Sequence, residues 1–335
     1  NGDALGGSLT TSVTSTTDAG TWAGSITRGS LGATSANYDI SFIAGSFEVT
    51  PKALSVSGLT VADKVYDGTT TASISAAGNL VGKVVADDVS YVQTGAAFID
   101  KNAGVGKTVT VSGIGLTGAD AGNYSIASTA TTTADITAKA LTLSGFTAAN
   151  KVYDGSTTAT ISSAGSLVGL VTGDTVTVSN AGASFADKNA ATGTTVTLAS
   201  VSLGGADGGN YSIASTATTT ANITPKTITL SATKTYDGTT DLTGAVTLGG
   251  TVGSETLTYA GALAVSARVV GPDADSATVD NYVSALTLVD GTNGGEAANY
   301  QLPTLNAANA PLQITAAPLV VSLSNTGVTK VYDGT

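Results

Sequence analysis

Lys64-Val65-Tyr66-Asp67-Gly68-Thr69-Thr70 decides how this chain reads. The stretch returns as Lys151-Val152-Tyr153-Asp154-Gly155-Ser156-Thr157, and again as Lys234-Thr235-Tyr236-Asp237-Gly238-Thr239-Thr240. A fourth copy begins at Lys330-Val331-Tyr332-Asp333-Gly334-Thr335. Tyrosines 66, 153, 236 and 332 therefore stand 87, 83 and 96 residues apart. Such a spacing means one small domain copied in tandem; it is too long for a solenoid coil or propeller blade. Asp-Gly between Thr-rich or apolar runs is a hairpin signal, because Gly accepts positive φ and Asp tolerates it. Each turn is thus expected to close a hairpin. Each tyrosine is expected to anchor its own domain core, with its hydroxyl on a backbone group or in water.

A second landmark keeps nearly the same register. Ala36-Asn37-Tyr38, Gly122-Asn123-Tyr124, Gly209-Asn210-Tyr211 and Ala298-Asn299-Tyr300 place their tyrosines 86, 87 and 89 residues apart. Each leads into a strand that closes on Thr50-Pro51-Lys52, Thr137-Ala138-Lys139, Thr224-Pro225-Lys226 or Thr315-Ala316-Ala317. These landmarks divide the chain into the end of a repeat at 1–52, full repeats at 53–139 and 140–226, a divergent repeat at 227–317, and the start of another at 318–335. The chain is read as a fragment of a longer polypeptide. Residues 122–139 and 209–226 differ only at Asp135/Asn222 and Ala138/Pro225, which points to recent duplication. No Ser/Pro-rich linker separates the copies.

The expected fold is all-β. Asp174-Thr175-Val176-Thr177-Val178 and Thr195-Val196-Thr197-Leu198 alternate apolar and polar residues, the pattern of half-buried antiparallel strands. No segment sustains a 3.6-residue apolar period. The acids are nearly all Asp, which prefers turns, with Glu only at 48, 255 and 296. The 118–123 stretch reads as a turn holding one helical turn. The expectation is a tandem array of small antiparallel β-sandwich-like domains of about 87 residues, semi-rigid because the junctions are short, and together an elongated rod.

Charge and composition exclude several functions. A net charge of −11 with no basic cluster argues against nucleic acid and anionic membrane surfaces. Cys, His and Met are absent, so thiol chemistry, disulfides and zinc-type sites are excluded. No transmembrane run is present. No Gly-rich phosphate loop precedes a helix, and no Asp pair is marked as general acid and base. The expectation is a protein that is not an enzyme and has no cofactor.

Some candidates remain. Asp87-Asp88, Asp120, Asp207 and Asp273–Asp275 are candidates for weak interdomain calcium, though no Asp-x-Asp-x-Asp-Gly loop is present. Solvated turn acids are the plainer reading. Lys101-Asn102 and Lys188-Asn189, each beside an Asp, raise a Lys–Asn crosslink, against the plainer exposed lysine in an Asp-Lys-Asn turn. Trp22, the one tryptophan, is a candidate for stacking on a sugar or for a core position. The last full repeat lacks Phe-x-Asp-Lys-Asn; it has Ala264-Val265-Ser266-Ala267-Arg268 and then Gly271-Pro272-Asp273-Ala274-Asp275.

The Val-Tyr-Asp-Gly-Thr turns, the Phe98-Ile99-Asp100-Lys101-Asn102 and Phe185-Ala186-Asp187-Lys188-Asn189 stretches, and the Gly-Asn-Tyr to Ile-Thr-Pro-Lys segments resemble YDG domains and the related mostly-beta, glycine-rich MBG domains. Domains of this kind occur in long bacterial surface and secreted proteins, including adhesins like filamentous haemagglutinin. The resemblance implies an extracellular, cell-surface adhesin or filament segment. It brings no catalytic residues. The partners expected are other repeats of the same polypeptide, a homopolymer in a filament, and a cell-surface or glycan receptor that the residues do not identify. A carbohydrate-binding accessory region of a secreted enzyme or matrix protein is the alternative.

Overall fold

The computed structural model describes residues 4–267, 281–322, 327 and 331–334. Their architecture is all-β. Among the described residues the helices are single 3-10 turns at Ala121–Asn123, Gly208–Asn210 and Ala297–Asn299, each ending at a landmark tyrosine. Among the described residues no helix is long and apolar enough to cross a membrane. The described chain forms two compact units. The first holds Asn1–Thr142, Val168–Val178 and Leu203–Ile213; the second holds Leu143–Leu167, Ser179–Ser202 and Ala214–Thr335.

In the first unit the main sheet has five strands in the order Lys64–Val65, Thr129–Thr137, Gly104–Ser112, Gly95–Phe98 and Thr71–Ala72. Alternation builds it. Val109 and Val111 are fully buried, while Thr108 and Thr110 between and beside them face solvent. Ala134 and Ile136 are buried on the neighbouring strand, with Thr131 and Thr133 outside. The ladder is antiparallel, Val109 opposite Thr132 and Val111 opposite Ala130. Its register slips between Gly104 and Lys107, where Gly106 turns to a φ of 62°. Asp135 Oδ1 accepts the Gly106 N–H at 2.7 Å. In the second unit Asn222 Oδ1 accepts the equivalent Gly193 N–H at 2.8 Å. The Asp135/Asn222 difference is therefore neutral to the bulge, since either side chain offers the oxygen.

A smaller sheet orders Asn79–Val81, Lys52–Ser57 and Tyr124–Ile126. Leu54, Val89 and Tyr124 form its buried core, with Leu80 and Leu116 against them. The antiparallel ladders expected from the alternation are joined by short parallel pairs. Tyr124 lies beside Lys52, and Ile136 beside Lys64.

The second unit repeats the five-stranded sheet with Lys151–Val152, Ala217–Thr224, Ala191–Leu198, Ala183–Phe185 and Thr158–Ala159. It also contains the divergent repeat. There Thr229–Thr235 pairs antiparallel with Val246–Gly249 and parallel with Leu312–Thr315. Leu242, Val283, Ala310 and Ile314 are fully buried between these strands and the Leu257–Ala264/Val283–Asp290 hairpin.

Two local expectations are corrected. Lys64–Val65 and Thr71–Ala72 do not pair with each other; they are opposite edges of the five-stranded sheet. The Tyr-Asp-Gly turn is thus not a hairpin but a bridge from one sheet edge to the other. The strand read at 174–178 is also shorter. It runs Thr177–Ser179, and Asp174 precedes it. The Arg268 and Gly271–Asp275 part of the divergent repeat, with the Asp273–Asp275 calcium candidates, lies outside the described residues, as do Lys330 and Thr335 of the fourth copy.

Candidate functional site at the joint between successive repeats

The Tyr-Asp-Gly bridge is held by the lysine two residues before its tyrosine. Lys64 Nζ donates to Asp67 Oδ1 at 2.8 Å, to the Thr69 carbonyl at 2.7 Å and to the Thr71 carbonyl at 3.0 Å. One ammonium therefore ties together both sheet edges where no backbone ladder joins them. Asp67 in turn accepts the Thr69 N–H at 2.8 Å, a local side-chain turn that sets the bend. Gly68 sits at a φ of 81°, which a side chain rarely adopts. Lys151 repeats the pattern on Asp154, Ser156 and Thr158, and Lys234 on Asp237, Thr239 and Asp241. Lys64 and Lys151 also lie over Phe98 and Phe185, at 5.6 and 5.4 Å from the ring centres.

Burial alone raises the Asp67 carboxyl, but the Lys64 ammonium and the Thr69 donors outweigh it and hold it at about 2. Lys234, then Thr239, hold Asp237 at about 2 against the opposing effect of burial. Asp154 is lowered in the same way by Lys151 and Ser156, again against burial.

This bridge aims its tyrosine at the following repeat. Tyr66 is 1% exposed. Its N–H donates to the Thr137 carbonyl of its own sheet at 2.9 Å. Its hydroxyl donates to Asp174 Oδ2 at 2.8 Å, in the next copy of the repeat. Tyr211 donates to the same oxygen at 2.5 Å and accepts the Val171 N–H at 2.9 Å. The two rings meet edge to face, 5.3 Å apart at 76°. Lys101 Nζ reaches the other Asp174 oxygen at 3.2 Å and Asp207 at 3.4 Å. The Asp174 side chain is 4% exposed, so these donors replace its lost hydration.

The second unit holds the same joint with a longer acid. Tyr153, also 1% exposed, donates to Glu255 Oε1 at 2.8 Å, and Tyr300 to Oε2 at 2.5 Å. The rings are 5.4 Å apart at 77°. Lys188 approaches Glu255 at 3.7 Å.

An asparagine seals each joint. Asn210, 5% exposed, accepts the Ala103 N–H at 2.8 Å and donates to Asn102 at 3.3 Å. Asn299, fully buried, accepts from Ala190 at 2.7 Å and donates to Asn189 at 2.9 Å. Asn123 does the same with Ala19 and Asp18, at 2.7 and 2.8 Å.

Burial and the shared carboxylate both disfavour tyrosinate. Tyr211 is pushed up to about 12 by burial and Asp174, and Tyr300 to about 12 by burial and Glu255. Tyr66 rises by burial and Asp174, partly opposed by Lys101; Tyr153 rises by burial and Glu255. The Tyr211 hydroxyl leads in lowering Asp174, against burial and with help from Tyr66 and Lys101.

The landmark residues thus fall into different roles. Tyr66, Tyr153, Tyr124, Tyr211 and Tyr300 are buried at joints. The hydroxyls of Tyr66 and Tyr153 take a carboxylate of the following repeat, which corrects the expected backbone or water partner. Tyr236 is 44% exposed and Tyr332 92%. Tyr38 is exposed as well.

Lys101 and Lys188 are half-exposed ion-pair partners of the next repeat's acids rather than simply solvated lysines. Asn102 and Asn189 face asparagines, so each lysine and its neighbouring asparagine turn to different partners. Of the calcium candidates, Asp87 accepts the Tyr124 hydroxyl, Asp120 accepts the Asp88 N–H, Asp88 accepts the Ala119 N–H, and Asp207 accepts the Thr175 N–H. Among the described residues no three acids group as a metal site. Sequence reasoning missed Asp174, Glu255, Asn210, Asn299 and the role of Lys64. For the asparagines and lysines a signal existed, because each holds a fixed offset from a landmark tyrosine. Asp174 and Glu255 differ in type and stand among many acids.

No curated protein matches this chain. The YDG domain matches twice, over residues 50–133 and 137–221, together half of the sequence. Both matches contain a complete Tyr-Asp-Gly bridge, its lysine and a Gly-Asn-Tyr segment, and the segment of the second match meets Tyr66. By these matches the chain belongs to the YDG domain family.

Proposed function

We propose that this chain is a non-enzymatic structural segment of an extracellular bacterial adhesin or surface filament, acting as stalk or fibre in attachment or assembly. The observation that carries the reading is the joint. The same tyrosine–carboxylate–tyrosine cluster, flanked by a buried asparagine, is built at Asp174 and again at Glu255 from residues of successive repeats. Its polar groups satisfy one another, leaving little for a substrate. A cluster that only locks one copy to the next suits a load-bearing chain. Electron microscopy of the native protein on the surface of its source cells tests this. Thin beaded threads or uniform long filaments support it; compact particles with neither form overturn it.

A carbohydrate-binding accessory region has one favouring observation. Trp22 and Phe47 face each other on neighbouring strands, and each is 41% exposed. The landmark tyrosines at the joints are too buried to stack on a sugar. Saturable polysaccharide binding that Trp22→Ala abolishes would favour this second reading over the first.

A further inference from the structure

Away from the joints, the first full repeat has a second polar concavity. Asn79–Val81 pairs with Lys52–Ser57, and Ser90–Val92 pairs with Gly115–Thr117. Between these two ladders lies a cavity of about 410 Å³, lined chiefly by Asn79, Leu80, Lys83, Val89, Ser90 and Tyr91. Small-ligand clefts span about 300–1,000 Å³, so this one can hold a compact ligand. Its apolar floor is fixed, because Val89 is part of the buried core and Leu80 packs against that core.

The polar lining is only partly engaged by the chain itself. Lys83 Nζ donates to the Asp87 carbonyl at 3.1 Å, and an ammonium has further donors to give. Tyr91 is half-buried. Its hydroxyl, and Oε1 of Gln93 two residues on, are buried without a hydrogen-bond partner among the described residues. Buried polar atoms of this kind call for a partner. The next copy shows that the fold does not demand them. In it Leu80 and Val89 recur as Leu167 and Val176, whereas Lys83 and Tyr91 become Leu170 and Val178. The floor is common to both repeats; the cation and the phenol belong to one.

We propose that this cavity binds one neutral hexopyranose residue of a polysaccharide. A pyranose has an apolar C–H face and a rim of hydroxyls, which matches an apolar floor edged by polar groups. The face packs on Leu80 and the Tyr91 ring, and the hydroxyls bond Asn79, Lys83 and Ser90. A sugar hydroxyl beside the phenol supplies the partner that its own chain does not. The net charge of −11 disfavours a polyanion, which leaves the neutral sugars. The site uses other strands than Trp22 and Phe47, and it holds whether the chain is a stalk or an accessory region.

Amide NMR of the full 335-residue chain tests it, with tetrasaccharides of glucose, galactose, mannose and N-acetylglucosamine as probes and trigalacturonate as the acidic control. The expected result is saturable shifts at Asn79, Lys83, Ser90 and Tyr91 with at least one neutral probe. Tyr91→Val and Lys83→Leu place the next copy's residues at these positions, so the fold tolerates them. Each should weaken binding roughly tenfold, while Trp22→Ala leaves it unchanged. No saturable shift with any neutral probe, binding to trigalacturonate alone, or binding that Trp22→Ala abolishes and Tyr91→Val does not would each overturn the proposal. Electron microscopy of the cell surface bears on the stalk reading alone, so either result can fail without the other.

Discussion

The Tyr66 hydroxyl donates to the Asp174 carboxylate at 2.8 Å across 108 residues of sequence. A landmark defined within one repeat is therefore completed only by the next. The arrangement explains why a residue as bulky as tyrosine recurs in a chain so poor in aromatics. It spans from its own sheet to a buried carboxylate, where it joins the Tyr211 hydroxyl and the Lys101 ammonium as a donor. A tandem array whose copies meet this way couples neighbours directly, and stability becomes a sum of repeats and joints.

Removing only the hydroxyl tests that coupling. Tyr66→Phe keeps the edge-to-face contact with Tyr211 and takes one donor from Asp174. A lost hydrogen bond to a charged group costs about 1.5–3 kcal/mol. Urea unfolding should show a lower midpoint with the slope unchanged. Tyr153→Phe, losing its bond to Glu255, should cost a similar amount, whereas Tyr236→Phe should be silent in the same assay. An unchanged Tyr66→Phe midpoint would sink the view that this bond stabilises the joint.

The bridge glycines separate two costs. Gly68 has a φ of 81°, and a Cβ there would meet Val171 Cγ1 at 2.8 Å. Gly238 has a φ of 76° with nothing within 4 Å of the same position. Gly238→Ala should cost only the left-handed backbone penalty, about 1–2 kcal/mol. Gly68→Ala should cost more, because the methyl also pushes the next repeat away. Equal losses in calorimetry would mean that Val171 yields freely.

Lys64 replaces a backbone ladder with one ammonium. Lys64→Met keeps much of the packing over Phe98 but strips donors from Asp67 and two carbonyls. We expect a loss of about 2 kcal/mol. Amide exchange should quicken first at Phe98, whose N–H bonds the Thr70 carbonyl beside the bridge. Exchange that quickens evenly over the sheet would argue against a local tie.

Asn210→Ala should leave the Ala103 N–H without its acceptor at a buried joint, costing about 1–3 kcal/mol. Asn210→Asp keeps that acceptor but sets a carboxylate against Asn102 Oδ1. Recovery of the midpoint in a paired Asn102→Lys variant, and not in Asn102→Ala, would identify the charge as the source of the loss.

The pH profile has an edge on each side. Asp67 and Asp237 lie near 2 in the fold against an ordinary value of 3.8. A carboxyl lowered on folding contributes stability above its unfolded value and loses it as pH falls toward the folded one. Stability should therefore drop between pH values of about 4 and 2. Tyr211 and Tyr300 rise from an ordinary 10 to about 12. A group raised on folding contributes fully below its unfolded value and loses that contribution as pH climbs through the folded one. The alkaline edge should fall between about 10 and 12. Tyrosinate absorbance should show Tyr211 and Tyr300 titrating above the ordinary tyrosine value of 10. A single tyrosine transition near 10 in the folded protein would contradict the joint.

The sequence by itself determined the all-β class, the tandem copies and the landmark tyrosines. Those signals are local: alternation at Thr195-Val196-Thr197-Leu198, Asp-Gly at a bend, and fixed offsets between copies. Even the single helical turn before Tyr124 was readable from Gly118-Ala119-Asp120-Ala121-Gly122-Asn123. Only the tertiary structure decided where the tyrosines go. Asp-Gly fits a hairpin and a bridge equally well, since both need positive φ at glycine. The choice rests on Lys64, whose reach to Thr69 and Thr71 depends on a sheet curved enough to bring its edges together. Asp174 and Glu255 carry no local mark either. They become acceptors because folding buries them beside two phenols, and a buried carboxylate must find donors wherever the chain supplies them.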